Sequence, residues 1–215
     1  MSNFTIRGAA KSDLDRLIEL EAHSFESDRL SRRSFRHLLG RGHAVFRVAM
    51  RGRGIVGYYI LLFRAGSPAG RLYSLAVHQG ARGAGFAKAL LADAERLARR
   101  KRRHVLRLEV REDNLPAIRL YERLGYQPIG RRAHYYADRT HALRYEKHLG
   151  ARGDIRASDS EEDRSPRDDD ALSPQMTGRR EAVALRPKTV LVPLRRGARP
   201  ASEDDAVSAA TPRRA

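Results

Sequence analysis

The stretch Leu72-Tyr73-Ser74-Leu75-Ala76-Val77-His78-Gln79-Gly80-Ala81-Arg82-Gly83-Ala84-Gly85-Phe86-Ala87-Lys88-Ala89-Leu90-Leu91 carries the first decision about the fold. Leu72 to Val77 reads as a strand, a glycine-rich loop follows, and the loop opens an amphipathic helix. That helix is predicted from about Gly85 to Arg100, with Leu90, Leu91, Ala94, Leu97 and Ala98 inward. At a helix start several N–H groups lack intrahelical partners and the dipole end is positive. Small residues let a pyrophosphate approach those groups closely. Gly83, Ala84, Gly85 and Ala87 supply the smallness, and Arg82 and Lys88 add positive charge at the rim.

Three readings of this loop compete. It is a plain connection, a dinucleotide fingerprint, or an acyl-CoA pyrophosphate loop of the form Arg/Gln-x-x-Gly-x-Gly/Ala. For the second, Gly83-Ala84-Gly85 begins the pattern, and Glu109 lies 24 residues beyond Gly85 at the end of the next strand. Lys88, however, stands where the third small residue belongs, and the loop follows four predicted strands rather than one. Arg82-Gly83-Ala84-Gly85-Phe86-Ala87 fits the third form at every fixed position.

The next block, about 25 residues downstream, decides between them: Leu108-Glu109-Val110-Arg111-Glu112-Asp113-Asn114-Leu115-Pro116-Ala117-Ile118-Arg119-Leu120-Tyr121-Glu122-Arg123-Leu124-Gly125-Tyr126. It resembles the second motif of the GCN5-related N-acetyltransferases (GNAT superfamily), most of all the RimI type, which acetylates protein N-termini including a ribosomal-protein alanine. The resemblance covers roughly residues 4–149. It takes in Leu20-Glu21-Ala22-His23-Ser24-Phe25 and Arg131-Arg132-Ala133-His134-Tyr135-Tyr136. Two departures stand out: RimI-type sequences often carry a Trp after the Phe25 position and a Pro two residues after Val77. This chain has no Trp and has Gln79 there.

The resemblance implies an α+β GNAT fold: a mixed, mostly antiparallel central sheet with a splayed central parallel strand pair and flanking helices. It implies acetyl-CoA as co-substrate, its pantetheine arm entering the splay along Leu75, Ala76 and Val77. Arg82, Gly83, Ala84, Gly85, Phe86, Ala87 and Lys88 would hold the pyrophosphate, and Asn114 would bond the pantetheine arm. Glu109 occupies the general-base position and Tyr121 the general-acid position.

The chemistry asks for these residue types. With no cysteine, a thioester on the enzyme is excluded and direct attack is favoured. An amine attacks only when neutral, and an α-amino group titrates near about 7.7–8.0. A carboxylate taking that proton contributes roughly 10²–10⁴-fold. Negative charge developing on the carbonyl oxygen suits a strand N–H near Val77, and a tyrosine hydroxyl suits the departing thiolate. Each residue also has a plain reading. Glu109 is an ordinary salt-bridge partner, Tyr121 a packed aromatic, and Asn114 the cap of the helix before Pro116. Tyr135 and Tyr136 either line the acceptor groove or pack on the sheet. The eight histidines show no ligand spacing, and no metal is expected.

Outward from these motifs, residues 1–149 read β-α-α-β-β-β-α-β-α-β-β. Phe4 to Arg7 opens as a strand; Ser12 and Ser31 each precede a helical pattern as caps. Val45 to Ala49 and Ile55 to Phe63 are strands joined by a turn over Arg51 to Gly54. Val105 to Val110 is a strand, Pro116 to Leu124 a helix, and Tyr126 to Gly130 and Leu143 to His148 the last strands. Residues 150–215 form a second region, expected to be a disordered mixed-charge tail. It holds Ser158 to Asp163, Asp168 to Asp170 and one apolar island, Thr189 to Leu194.

Net charge is +17 over 215 residues, and residues 1–150 carry almost all of it, with 30 Lys+Arg against 14 Asp+Glu. A basic domain favours anionic partners. Arg outnumbers Lys 38 to 5, a skew that a GC-rich genome also produces. The run Arg99 to Arg103 either caps a helix C-terminus or docks on RNA. The longest apolar run, Tyr58 to Phe63, has six residues, too short for a membrane helix. A cytoplasmic protein is expected, acting on a protein or peptide N-terminus, with that of a ribosomal protein among the candidates, with no membrane partner and no predicted nucleic-acid contact. The alternatives are an acetyltransferase for a small-molecule amine or a lysine side chain, and a catalytically silent CoA-binding or RNA-docking module.

Overall fold

A computed structural model describes residues 4–25, 28–40 and 42–150. Seven strands and four helices follow the expected order: β1 Phe4–Gly8, α1 Leu14–Ser24, α2 Arg32–Leu39, β2 Ala44–Arg51, β3 Gly54–Phe63, β4 Ala69–Val77, α3 Phe86–Arg100, β5 Val105–Arg111, α4 Leu115–Arg123, β6 Gln127–Arg132 and β7 Ala142–His148. They form one sheet in the order β1-β2-β3-β4-β5-β7-β6, antiparallel everywhere except between β4 and β5. The expected tail beyond Gly150, with its island at Thr189 to Leu194, lies outside the described residues. Among the described residues no helix is long and apolar enough to cross a membrane.

Period-two alternation sorts the strand side chains onto two cores. Tyr58 and Ile60 of β3 face α1 and α2, where they meet Leu17, Phe35 and Leu38. Tyr59 and Leu61 face the other side, with Leu90, Leu91 and Ala94 of α3. Burying a leucine contributes roughly 1.5–3 kcal/mol, so the α3 stripe that the sequence showed is what holds that helix down. Gly57 makes the contact possible: a Cβ there would lie 2.9 Å from the Ala76 carbonyl oxygen and 3.0 Å from Leu90 Cδ1.

The alternation breaks once in β4. Ile60 pairs with Ser74 but Leu61 pairs with Leu72, so Tyr73 is an extra residue in the ladder. Leu72 and Leu75 face α3, while Tyr73 and Ala76 face α1. The Ser74 hydroxyl lies 3.1 Å from the Tyr58 hydroxyl on that same α1 side. Buried Glu21 of α1 accepts from the Tyr58 hydroxyl and, at 2.6 Å, from Leu30 N–H, tying the α1–α2 connection to the bulge.

Two local expectations are revised. Ser12 does not cap α1. Residues Lys11–Asp13 form a 3₁₀ turn, and Asp13 takes the orphan Ala10 N–H at 2.8 Å while pairing with Arg7 at 2.7 Å. β4 starts at Ala69 rather than Leu72, because Ala69 to Leu72 gain a partner in β5 that no local pattern announces. Ser31 does cap α2, accepting from Ser34 N–H at 3.1 Å. Arg99 and Arg100 sit in the last turn of α3, and Arg103 donates to the Ser67 carbonyl and lies over the Phe63 ring.

Candidate active site

β4 and β5 pair only from Ala69↔Val105 to Leu72↔Leu108. Beyond Leu72 they part. Ser74 to Val77 remain paired with β3 on one side but have no strand on the other. β5 continues from Glu109 to Arg111 against β7. The bulge at Tyr73 stands where the parting begins, since a bulge bends its strand and increases local twist. The result is a wedge whose β4 wall, including Leu75, Ala76 and Val77, presents main-chain groups without a strand partner. Such groups are costly when dry, so the wedge favours an extended, polar-backboned guest.

Below the wedge, β4 runs through a 3₁₀ turn, Gln79–Ala81, into the loop Arg82 to Gly85. Gly83 and Gly85 have φ of +76° and +81°, a region that disfavours side chains. Gly85 is the N-cap of α3 and offers no side-chain cap, so the first N–H groups of the helix stay open. A Cβ at Gly83 or Gly85 would meet nothing within 4 Å, so the cradle is open space. Ala84 and Lys88 are exposed and Ala87 is half-buried. The Arg82 guanidinium holds Nε and Nη2 buried without a hydrogen-bond partner, and burial pushes its pKa down. An anion placed there would relieve both. The Phe86 ring is core, 4.9 Å from Phe4, because the first inward position of α3 must be apolar. Only its backbone faces the loop.

At the mouth of the wedge Asn114 caps α4, its Oδ1 accepting from Ala117 N–H at 3.2 Å. Its Nδ2 is buried with no partner. The Tyr121 hydroxyl is likewise buried and unpartnered, its pKa pushed up by burial. The ring packs edge-on against Tyr126 at 5.6 Å. Glu109 is only 5% exposed and receives Arg71 Nη2 at 2.7 Å and Nε at 3.1 Å. Arg71 also donates to the Tyr135 hydroxyl at 3.2 Å. Tyr136, buried with a partnerless hydroxyl, lies under the Arg111 guanidinium at 4.9 Å. Burial, then Tyr135 and the charge on Glu109, push the Tyr136 pKa up, with a smaller push from Tyr121.

Arg71 and Tyr73 are the residues that the motifs did not reveal. Arg71 sits in register with Arg107, not Glu109, so no strand pairing in the sequence predicts its partner. The Tyr73 hydroxyl is buried without a partner on the α1 side of the bulge. The wedge, the open helix start and the unpartnered polar atoms of Arg82, Asn114, Tyr121 and Tyr136 are the unsatisfied hydrogen-bonding groups of this region. Among the described residues no group of three His, Cys, Asp or Glu side chains is placed to hold a metal ion.

A parallel pair that parts at a bulge, over a glycine loop that opens a helix, is the architecture of an acyl-CoA-dependent acyltransferase. The chain belongs to the acetyltransferase (GNAT) family, whose model matches residues 13–126. It is therefore an enzyme of the acetyltransferase class. It is 31% identical over 136 residues to a Bacillus subtilis protein provisionally named a ribosomal protein bS18-alanine N-acetyltransferase, covering 62% of this chain and 87% of that one. It is 31% identical over 135 residues to the N-alpha-acetyltransferase RimI of Mycobacterium tuberculosis, covering 61% and 84%. Among solved structures, Arabidopsis thaliana NAA60 in complex with acetyl-CoA shares the fold, with a TM-score of 0.61 at 21% identity, over 68% of this chain and 98% of that one.

Proposed function

We propose that the chain transfers an acetyl group from acetyl-CoA directly to a protein N-terminal α-amine. A cytoplasmic place of action goes with this reading, as does a catalytic unit confined to residues 1–149. The observation that carries the cofactor half is the parting of β4 from β5, with the unpartnered Asn114 Nδ2 and Tyr121 hydroxyl on the helix that follows β5. The acceptor half is supported by the names of the two relatives, both amino-terminal acetyltransferases.

When bound, acetyl-CoA supplies an activated acetyl thioester. The residues of the chain do the rest. Leu75, Ala76 and Val77 offer main-chain groups along the wedge, and Arg82 with the backbone from Gly83 to Lys88 grips the diphosphate. The Asn114 amide donates from the opposite wall. Glu109, directly or through a water, takes the proton that an α-ammonium must lose before it attacks. Arg71 holds that carboxylate in place. Tyr121, with no competing partner for its hydroxyl, gives a proton to the leaving thiolate. Tyr135 and Tyr136 wall the acceptor side.

Incubation with acetyl-CoA and peptides bearing free N-termini, compared with N-terminally blocked peptides and small amines, tests the reading. Acetylation of the free α-amine alone is expected. Turnover of small amines or lysine side chains with none on peptide N-termini would overturn the acceptor, and calorimetry without acetyl-CoA binding would overturn the whole reading.

A further inference from the structure

His78 follows β4 and begins the turn toward α3. Its N–H donates to the Val56 carbonyl at 2.8 Å, and its own carbonyl accepts from Ala81 N–H at 2.9 Å. Its ring Nδ1 accepts from Gly80 N–H at 3.2 Å, capping the 3₁₀ turn Gln79–Ala81. Gly80 lies against the ring, since a Cβ there would sit 3.4 Å from Nδ1. Arg82 N–H then returns to the Gln79 carbonyl at 3.2 Å, and Ala81 is buried in the core. This turn sets the direction in which Arg82, Gly83 and Gly85 leave. Its first position is Gln79, so no proline ring fixes φ there. Among the described residues, His78 is the one side chain that hydrogen-bonds to the backbone of this turn.

We infer that His78 is a positioning residue for the cofactor loop: its neutral imidazole holds the loop in binding geometry, and its protonation releases it. The inference rests on the acetyl-CoA reading of the loop. A backbone N–H only donates, so Nδ1 must carry the lone pair, and the single ring proton of the neutral form sits on Nε2. Protonation places a hydrogen on Nδ1 and removes the acceptor. The cap therefore belongs to the neutral ring and is absent from the protonated one. Arg16, Glu19 and His23 of α1 and Arg53 of the β2–β3 turn face the ring across a shared cavity of about 460 Å³; the His23 ring is 6.5 Å away. The added charge of a protonated ring would itself attract a diphosphate. An exposed charge one Debye length away changes an equilibrium by only about two-fold, whereas losing a side-chain cap changes one by about five-fold. The loss dominates.

The test compares the full chain with His78→Asn and His78→Ala by calorimetry with acetyl-CoA at pH 8 and pH 5.5. It adds ¹⁵N NMR of the ligand-free protein for the His78 tautomer and the Gly80 amide. Asparagine caps through Oδ1 and does not titrate. The wild type is expected to weaken by about two- to five-fold more than His78→Asn on acidification. His78→Ala should be weak at both pH values. The Gly80 amide shift should move with the imidazole titration, from an Nε2–H tautomer at pH 8. An identical pH response in the wild type and His78→Asn, or a Gly80 amide that ignores the imidazole, would overturn the inference alone. Failure of the wild type to bind at either pH would overturn the cofactor reading and this inference with it.

Discussion

The Arg71 guanidinium grips the Glu109 carboxylate side-on, Nη2 to Oε1 at 2.7 Å and Nε to Oε2 at 3.1 Å. The two residues bracket the last pair of the parallel ladder, Leu72↔Leu108. The ion pair therefore staples the vertex of the wedge, and the same contact that fixes the fold fixes the orientation of the proposed base. Glu109 is both the salt-bridge partner and the candidate base, two roles that the sequence left as alternatives.

Glu109→Gln separates these roles. It should lower kcat by about 100-fold or more, since a general base contributes roughly 10²–10⁴-fold. The dissociation constant for acetyl-CoA should stay within about two-fold. Pre-steady-state kinetics with calorimetry checks this, and equal losses in both would argue against the base assignment. A stability cost of up to about 3 kcal/mol is expected from the broken pair, so melting curves must accompany the kinetics.

Tyr121→Phe removes a hydroxyl that bonds to nothing in the ligand-free protein. Removing an unsatisfied buried hydroxyl costs no hydrogen bond, so stability should change by less than about 1 kcal/mol, if anything upward. Turnover should nonetheless fall by about ten-fold or more. Unchanged turnover would reduce Tyr121 to a packed aromatic.

Asn114 uses one end of its amide for the helix and leaves the other free. Asn114→Asp keeps the capping acceptor and deletes the donor. Its stability should fall, because the retained cap is offset by a buried carboxylate oxygen with no donor to meet it, and acetyl-CoA affinity should drop several-fold. Asn114→Ala should lose affinity and also about 1 kcal/mol of stability. Chemical denaturation and calorimetry on both variants distinguish a cap from a cap that also binds.

Hydrogen bonding from the Arg111 guanidinium holds the Asp138 carboxyl down at about 2. The folded value lies below the ordinary one of about 3.9, so this group stabilises the fold above about pH 4 and ceases to as pH falls toward 2. The melting temperature of Asp138→Asn should lie below that of the wild type at pH 6, and the gap should close between about pH 4 and pH 2. A constant gap would show that the Arg111 contact does not depend on charge.

Much of this was legible because it is local. The order of elements, the α3 stripe of Leu90, Leu91, Ala94 and Ala98, the Ser31 cap and the glycine loop are all properties of neighbouring residues. The bulge at Tyr73 was not legible, because it exists only in the register of β3 against β4. Neither was Arg71, whose partner is 38 residues away across a strand pair that is about to part. Nor was the burial of the Phe86 ring, whose neighbour Phe4 is distant in the chain.

The strand order has a consequence for synthesis. β5, which bears Glu109, touches β4 over four residues but β7 over seven, and β7 ends at His148. A nascent polypeptide halted before the last of these strands emerges would leave the carboxylate strand with a bare, hydrogen-bonding edge, the geometry most prone to pairing with another chain. That edge is covered only when β7 slides in between β5 and β6, two strands that were made before it.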